Sequence, residues 1–274
     1  MARVAATVMM IALAALGIGA ASAAAKPRLS FNLPGSATAA TATRFSYAAT
    51  RVRATDHLVV QRREGTAHAW RTVVRLPHAR TGSAQLPALP LGSYSTRIAD
   101  LSSRGQVEAQ QTRALKVFGS VPFSKLFDPN LQHQAVIGFN GNTGPGVAAT
   151  PTKTFQYAFG GVAGVGNPAV TVTNNACRSA HFEFVPGVPG ELEGGKDATD
   201  TGSITIVQQT LDPMSATAAF NTLGTLEVTL VPGQSWSMNS KRTGGGSEGI
   251  YIYVNGYALC YSEAPFTSES AATG

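Results

Sequence analysis

Ile250-Tyr251-Ile252-Tyr253-Val254 alternates without a break between β-branched and aromatic side chains. On a helix these five residues would scatter around the axis. On a strand they separate into two faces, Ile250, Ile252 and Val254 on one and Tyr251 and Tyr253 on the other. The β-branched row reads as core and the tyrosine row as outward-facing. Period-two segments recur on either side of this one: 153–159, 169–174, 181–185, 203–209, 226–230, 235–239 and 258–261. With 250–254 they make about eight strands. A Gly- and Asn-rich stretch (126–151) and a Pro, Gly and acid-rich loop (186–202) interrupt them. Residues 119–264 are therefore expected to form a jelly-roll-like sandwich with long connections.

The first half repeats the pattern at hairpin spacing. Strands are expected at 28–33, 43–49, 57–63, 69–76, 83–86, 93–100 and 113–118, with turn residues at Pro34-Gly35, Glu64-Gly65, Pro90-Leu91-Gly92 and Arg104-Gly105. In the fourth, Trp70, Thr72, Val74 and Leu76 fall on one side and Arg71 and Arg75 on the other. Seven short strands with regular turns predict an immunoglobulin- or fibronectin type III-like sandwich over residues 28–118. The expected fold class is all-β, two sandwich modules in series.

Before them stands a secretory signal pattern. Arg3 is the basic n-region, 4–19 is apolar, and Ala21-Ser22-Ala23 or Ala23-Ala24-Ala25 is a small-residue cleavage site. Cleavage after Ala25, expected within residues 23–26, leaves a mature chain that works outside the cytoplasm, secreted or held at the cell surface without a transmembrane segment. Residues 265–274 read as a disordered tail. In that compartment the chain's two cysteines, Cys177 and Cys260, are expected to form a disulfide. Two isolated cysteines argue against a metal site, and no cofactor motif occurs.

Charge divides the chain at the same place as the strand pattern. Residues 26–116 hold 14 basic and four acidic side chains, a surplus of +10. Residues 117–274 hold six basic and 11 acidic, a surplus of −5. Arg3 completes the net charge of +6. Arg51, Arg53, Arg71 and Arg75, with Arg62 and Arg63, read either as a face for anionic polymers or as solvated positions that keep a sheet soluble. No aromatic interleaving or nucleic-acid motif accompanies them, so no specific nucleic-acid partner is expected.

The run Leu86-Pro87-Ala88-Leu89-Pro90-Leu91-Gly92-Ser93-Tyr94, then Arg97-Ile98-Ala99-Asp100 and Gly105, resembles the end of a bacterial fibronectin type III-like domain. The resemblance implies a spacer or interaction module and makes Tyr94 the tyrosine-corner residue. In the second half three runs stand out: 204–213 (Ile-Thr-Ile-Val-Gln-Gln-Thr-Leu-Asp-Pro), 230–239 (Leu-Val-Pro-Gly-Gln-Ser-Trp-Ser-Met-Asn) and 254–260 (Val-Asn-Gly-Tyr-Ala-Leu-Cys). They resemble a domain that recurs in small exported actinobacterial proteins without an assigned function. That likeness implies secretion and a β-sandwich and transfers no site residue.

Three groups of residues bear on chemistry. Gly245-Gly246-Ser247-Glu248-Gly249 matches a nucleophile-elbow pattern, but a β pattern follows where a helix is required, and no histidine lies downstream. His181 and Glu183 share a strand face. With Glu191, Glu193, Asp197 and Asp200 they sketch either an incidental acidic loop, a Ca²⁺ site or a carboxylate pair, without cage spacing or a defined separation. Tyr251, Tyr253, Tyr257, Tyr261 and Trp236, with Asn239 and Asn255, outline an aromatic face for stacking sugar rings. The competing reading makes the tyrosines cross-strand partners and Trp236 core. These residues favour a secreted, non-enzymatic protein that binds a polysaccharide or an anionic envelope polymer. A self-assembling matrix subunit, pairing its oppositely charged modules between chains, stands second. A glycan-active hydrolase stands third.

Overall fold

The computed structural model describes residues 27–77, 79–127, 146–149, 154–157, 159–163, 169–174, 176–187, 200–243 and 250–268. The signal segment, the 245–249 serine motif, the loop acids Glu191, Glu193 and Asp197, and residues 269–274 of the tail lie outside them. In chain order the strands are β1 (Arg28–Asn32), β2 (Ser36–Thr38), β3 (Thr43–Thr50), β4 (His57–Glu64), β5 (Arg71–Arg75), β6 (Thr81–Leu86), β7 (Gly92–Leu101) and β8 (Val107–Pro122). A single helical turn, α1 (Phe123–Leu126), comes next. It is followed by β9 (Gly146–Ala149), β10 (Thr154–Tyr157), β11 (Phe159–Ala163), β12 (Ala169–Asn174), β13 (Cys177–Gly187), β14 (Thr201–Gln208) and β15 (Leu211–Ala219). The chain closes with β16 (Gly224–Thr229), β17 (Gln234–Thr243), β18 (Ile250–Cys260) and β19 (Thr267–Ser268). The protein is all-β, as the alternation predicted.

Two cores lie between facing sheets. In the first, the three-stranded sheet β1-β3-β6 closes over β5-β4-β7-β8. Phe31, Phe45 and Tyr47 meet Leu58, Val60, Tyr94, Ile98 and Leu115. Tyr94 is 2 % exposed, and its hydroxyl donates to the Pro90 carbonyl at 3.0 Å. This local bond back along the chain gives the buried phenol a partner. Burial, reinforced by the Glu64 charge, holds that phenol above its ordinary pKa.

In the second core, β16-β13-β18 and the end of β8 face β15-β14-β17-β12-β19. Phe182, Phe184, Leu226, Ile252 and Val254 meet Ile204, Ile206, Trp236 and Met238, and Phe123, Leu126 and Phe266 pack into the same core. The two cores share one strand: β8 pairs with β7 along 107–117 and with β18 along 119–122. The Cys177–Cys260 disulfide closes the β13–β18 pair where β18 meets β8.

Three local departures from simple alternation matter. First, β4 and β5 shift register between Val60 and Gln61, so Val60 pairs with Val74 and Gln61 with Thr72, leaving Val73 as the extra residue. Such a bulge reverses the faces beyond it. Trp70 therefore does not join Leu76 in the core. It lies on the outer face, with the Arg97 and Arg63 guanidinium carbons 4.2 and 4.8 Å from its ring centroid. Burial and the neighbouring Arg63 charge lower the Arg97 pKa. Second, β15 is a strand that alternation does not reveal. Its Pro213 and small side chains suit only an edge, and it is the edge of its sheet. Third, the β18 strand runs unbroken from Ile250 to Cys260 through Gly256, at φ 142°.

Asp200 and Arg242 form an ion pair at 2.5 Å with side chains 7 % and 13 % exposed. Removing one partner leaves the other charge buried. Asp200→Ala is expected to cost about 3–5 kcal/mol, and a second change, Arg242→Met, to restore most of it. Urea unfolding midpoints of the single and double variants check this; a double variant no better than the single one contradicts it.

Candidate functional site

The outer face of the second module's β16-β13-β18 sheet gathers polar and aromatic side chains by strand parity alone. Along β13, Ala180, Phe182 and Phe184 point into the core at 2 %, 0 % and 0 % exposure, so Ser179, His181 and Glu183 point out. Along β18, Val254, Ala258 and Cys260 point in, so Asn255 and Tyr257 point out. Register then brings them together: His181 lies opposite Glu227 on one side and Tyr257 on the other, and Glu183 lies opposite Asn255 and Thr225.

His181 is held from both sides. Its Nδ1 lies 2.5 Å from Glu227 Oε1. An ionised carboxylate only accepts, so Nδ1 carries the proton and donates. Its Nε2 is 3.6 Å from Glu183 Oε1, beyond hydrogen-bond length. The imidazole stacks on the Tyr257 ring with centroids 5.1 Å apart and planes 24° from parallel. Tyr257 is 41 % exposed, one of the few large hydrophobic side chains left in solvent among the described residues. The carboxylates of Glu183 and Glu227 beside the imidazole are 40 % and 71 % exposed. A phenol ring stacked on an imidazole that has two carboxylates beside it, on a face shared with the Asn255 amide, suits a ligand that offers C–H faces and hydroxyl donors together. A polar, hydroxyl-bearing ring presents both.

Gly256 permits this arrangement. A Cβ there would lie 2.0 Å from the His181 carbonyl oxygen and 2.9 Å from Phe123. The absent side chain lets β18 approach β13 where Tyr257 meets His181.

The other sequence-derived candidates separate. Trp236 is 1 % exposed, in ring contact with Phe127, Phe182 and Phe266; it is core and offers no surface. Tyr253 points to the outer side but is only 7 % exposed, so the expected outward tyrosine row is not open there. Its cross-strand partner Val185 is buried as well, at 1 %, so the sheet is covered where a free face was expected. The Tyr251 side chain lies outside the described residues. Tyr261 belongs to the junction of the modules, edge-on to Phe118 at 5.6 Å and under the Lys116 ammonium at 4.5 Å. Asn239 pairs with Ala169 and Thr205 in the opposite sheet, away from Tyr257. Of the proposed platform, Tyr257 and Asn255 remain.

The arginine face also divides. Arg75 pairs with Val59 and Arg71 with Arg62, and the bulge sets these two pairs on opposite faces. Arg51 and Arg53 are in the connection between β3 and β4. Sequence reading missed Glu227, whose only signal was its place on an alternating strand, and the junction of His181 with Tyr257. Asp200, grouped with the loop acids, is instead the partner of Arg242.

No protein-family profile and no curated protein sequence matches the chain. Among solved structures, a Corynebacterium diphtheriae protein described as membrane anchored aligns over 88 % of this chain and 57 % of its own length, at 10 % identity and TM-score 0.29. The chain thus spans just over half of that protein. A SusE-like protein aligns over 84 % of this chain and 97 % of its own length, at 8 % identity and TM-score 0.26. Likeness this low carries no functional argument. Among the described residues no helix is long and apolar enough to cross a membrane.

Proposed function

We propose that this is an exported, non-catalytic glycan-binding protein, and that the Tyr257 face of its second module holds the sugar. One observation carries the reading: an exposed tyrosine ring stacked on a histidine that has Glu183 and Glu227 beside it, with Asn255 on the same face. The two carboxylates repel anionic polymers and accept hydroxyl or ammonium donors, so neutral or amino-substituted sugars fit best. The first module serves as a fibronectin type III-like spacer, a reading supported by its three-on-four sheet pairing and by the Tyr94 to Pro90 bond. Its basic surplus adds salt-sensitive attraction to an anionic envelope.

Tyr257→Ala tests the site. An exposed aromatic that anchors a ligand is worth about 2 kcal/mol, roughly a thirtyfold loss of affinity. The variant should lose retention on insoluble neutral polysaccharide while its melting temperature moves little, since only the stack with His181 is given up, about 0.5–1.5 kcal/mol. Unchanged retention by a folded variant removes the Tyr257 face from the account.

A further inference from the structure

At one end of the β1-β3-β6 sheet three arginines converge, and no described acid pairs with them. Arg28 opens β1 and lies opposite Thr50, the last residue of β3. Arg51 follows Thr50 directly. Arg80 precedes β6, and its carbonyl accepts the Ala49 N–H at 2.8 Å. Arg28, Thr50, Arg51 and Arg80 line a cavity of about 370 Å³. Among the described residues none of the three arginines belongs to an ion pair. Arg51 also holds a left-handed backbone, φ 63°, that glycine would adopt without strain. The chain thus places a long cation in a conformation that disfavours it, beside two like charges that repel it.

We propose that this pocket binds a phosphate group, a second site separate from the glycan face and independent of it. Guanidinium forks match phosphate oxygens in bidentate pairs. Three forks supply more donors than the two oxygens of a carboxylate accept, whereas the oxygens of a phosphate use them, and its greater negative charge relieves the repulsion among the arginines. The Thr50 hydroxyl adds a neutral donor. The phosphate comes either free or as part of a polymer, and both share this chemistry.

The test is thermal unfolding of the mature chain in inorganic phosphate, long-chain polyphosphate or acetate at matched ionic strength. A ligand that binds only the folded state raises the midpoint. Both phosphate forms should raise it and acetate should not. Polyphosphate acting at a lower phosphate concentration identifies a polymer-reading pocket; equal action identifies a site for the free ion. Arg51→Gly should melt no lower than the parent without phosphate, because the backbone strain is relieved, yet lose roughly tenfold or more in apparent phosphate affinity. Arg80→Gln should weaken the response similarly, and Arg75→Gln, outside the pocket, should keep it. No phosphate-dependent shift, a shift matched by acetate, or a full shift in folded Arg51→Gly overturns the proposal.

Discussion

Gly256→Ala is expected to unfold the second module or to destabilise it by more than about 4 kcal/mol. An added Cβ would lie 2.0 Å from the His181 carbonyl oxygen. Crowded side chains can swing aside, as the Phe184 ring can beside Gly224 or Tyr47 beside Gly82. A strand carbonyl moves only with its strand, so relief of the Gly256 clash requires β13 and β18 to separate. The φ of 142° adds strain for any L residue. Gly233→Ala is the matched control: its φ is 86°, but nothing lies within 4 Å of the added methyl. It should cost only the conformational term, about 1–2 kcal/mol. Yield of exported protein and urea midpoints separate the two. A Gly256→Ala protein as stable as Gly233→Ala contradicts the register that stacks His181 on Tyr257, and the proposed site with it.

Opening the Cys177–Cys260 disulfide should cost about 4–5 kcal/mol, because the bridge closes a loop over a sequence separation of 83 and restricts the unfolded chain accordingly. In a chain of this length that lowers the melting temperature by about 10–20 °C. Both cysteines are buried at 1 % and 0 %, so replacing them with alanine keeps their small, apolar character and isolates the cross-link. The double Cys→Ala variant and the reduced parent should fall together. If mass spectrometry finds full reduction and the midpoint does not move, the bridge contributes nothing to stability. The loss should appear first at the end of β18, where the bridged strand is paired with β13 on one side and with the short end of β8 on the other. Hydrogen exchange at residues 257–260 reads it directly.

Alternation was enough to place most strands, because period two survives wherever one face is buried and the other wet. It failed where that premise failed. Near Tyr253 both faces are covered, so the residue is aromatic, outward and still buried. At Val73 one extra residue moved Trp70 off the side it was expected to share with Leu76 and onto the arginine-covered surface, and a bulge leaves no mark on composition. In β15, proline and small residues hid a strand that only its edge position makes possible. The disulfide was legible from an exported chain with two cysteines. The site was legible only in pieces. Alternation puts His181 and Glu183 on one strand face and Tyr257 and Asn255 on another strand. Joining them needs the β13–β18 register, and those strands are far apart in the chain. Two cross-strand pairings, His181 with Tyr257 and Glu227 with His181, turn the pieces into one surface.

The most direct test is retention of the purified mature protein on a panel of insoluble neutral and amino-substituted polysaccharides, at low salt and at half-molar salt, beside Tyr257→Ala. Stacking and hydrogen bonds to uncharged sugar are screened little by salt, so the parent should be retained on at least one polymer at both salts and the variant released. Retention lost at high salt, or kept by Tyr257→Ala, would contradict a glycan site on the Tyr257 face. No retention at either salt would contradict glycan binding altogether and favour self-assembly of the basic and acidic modules.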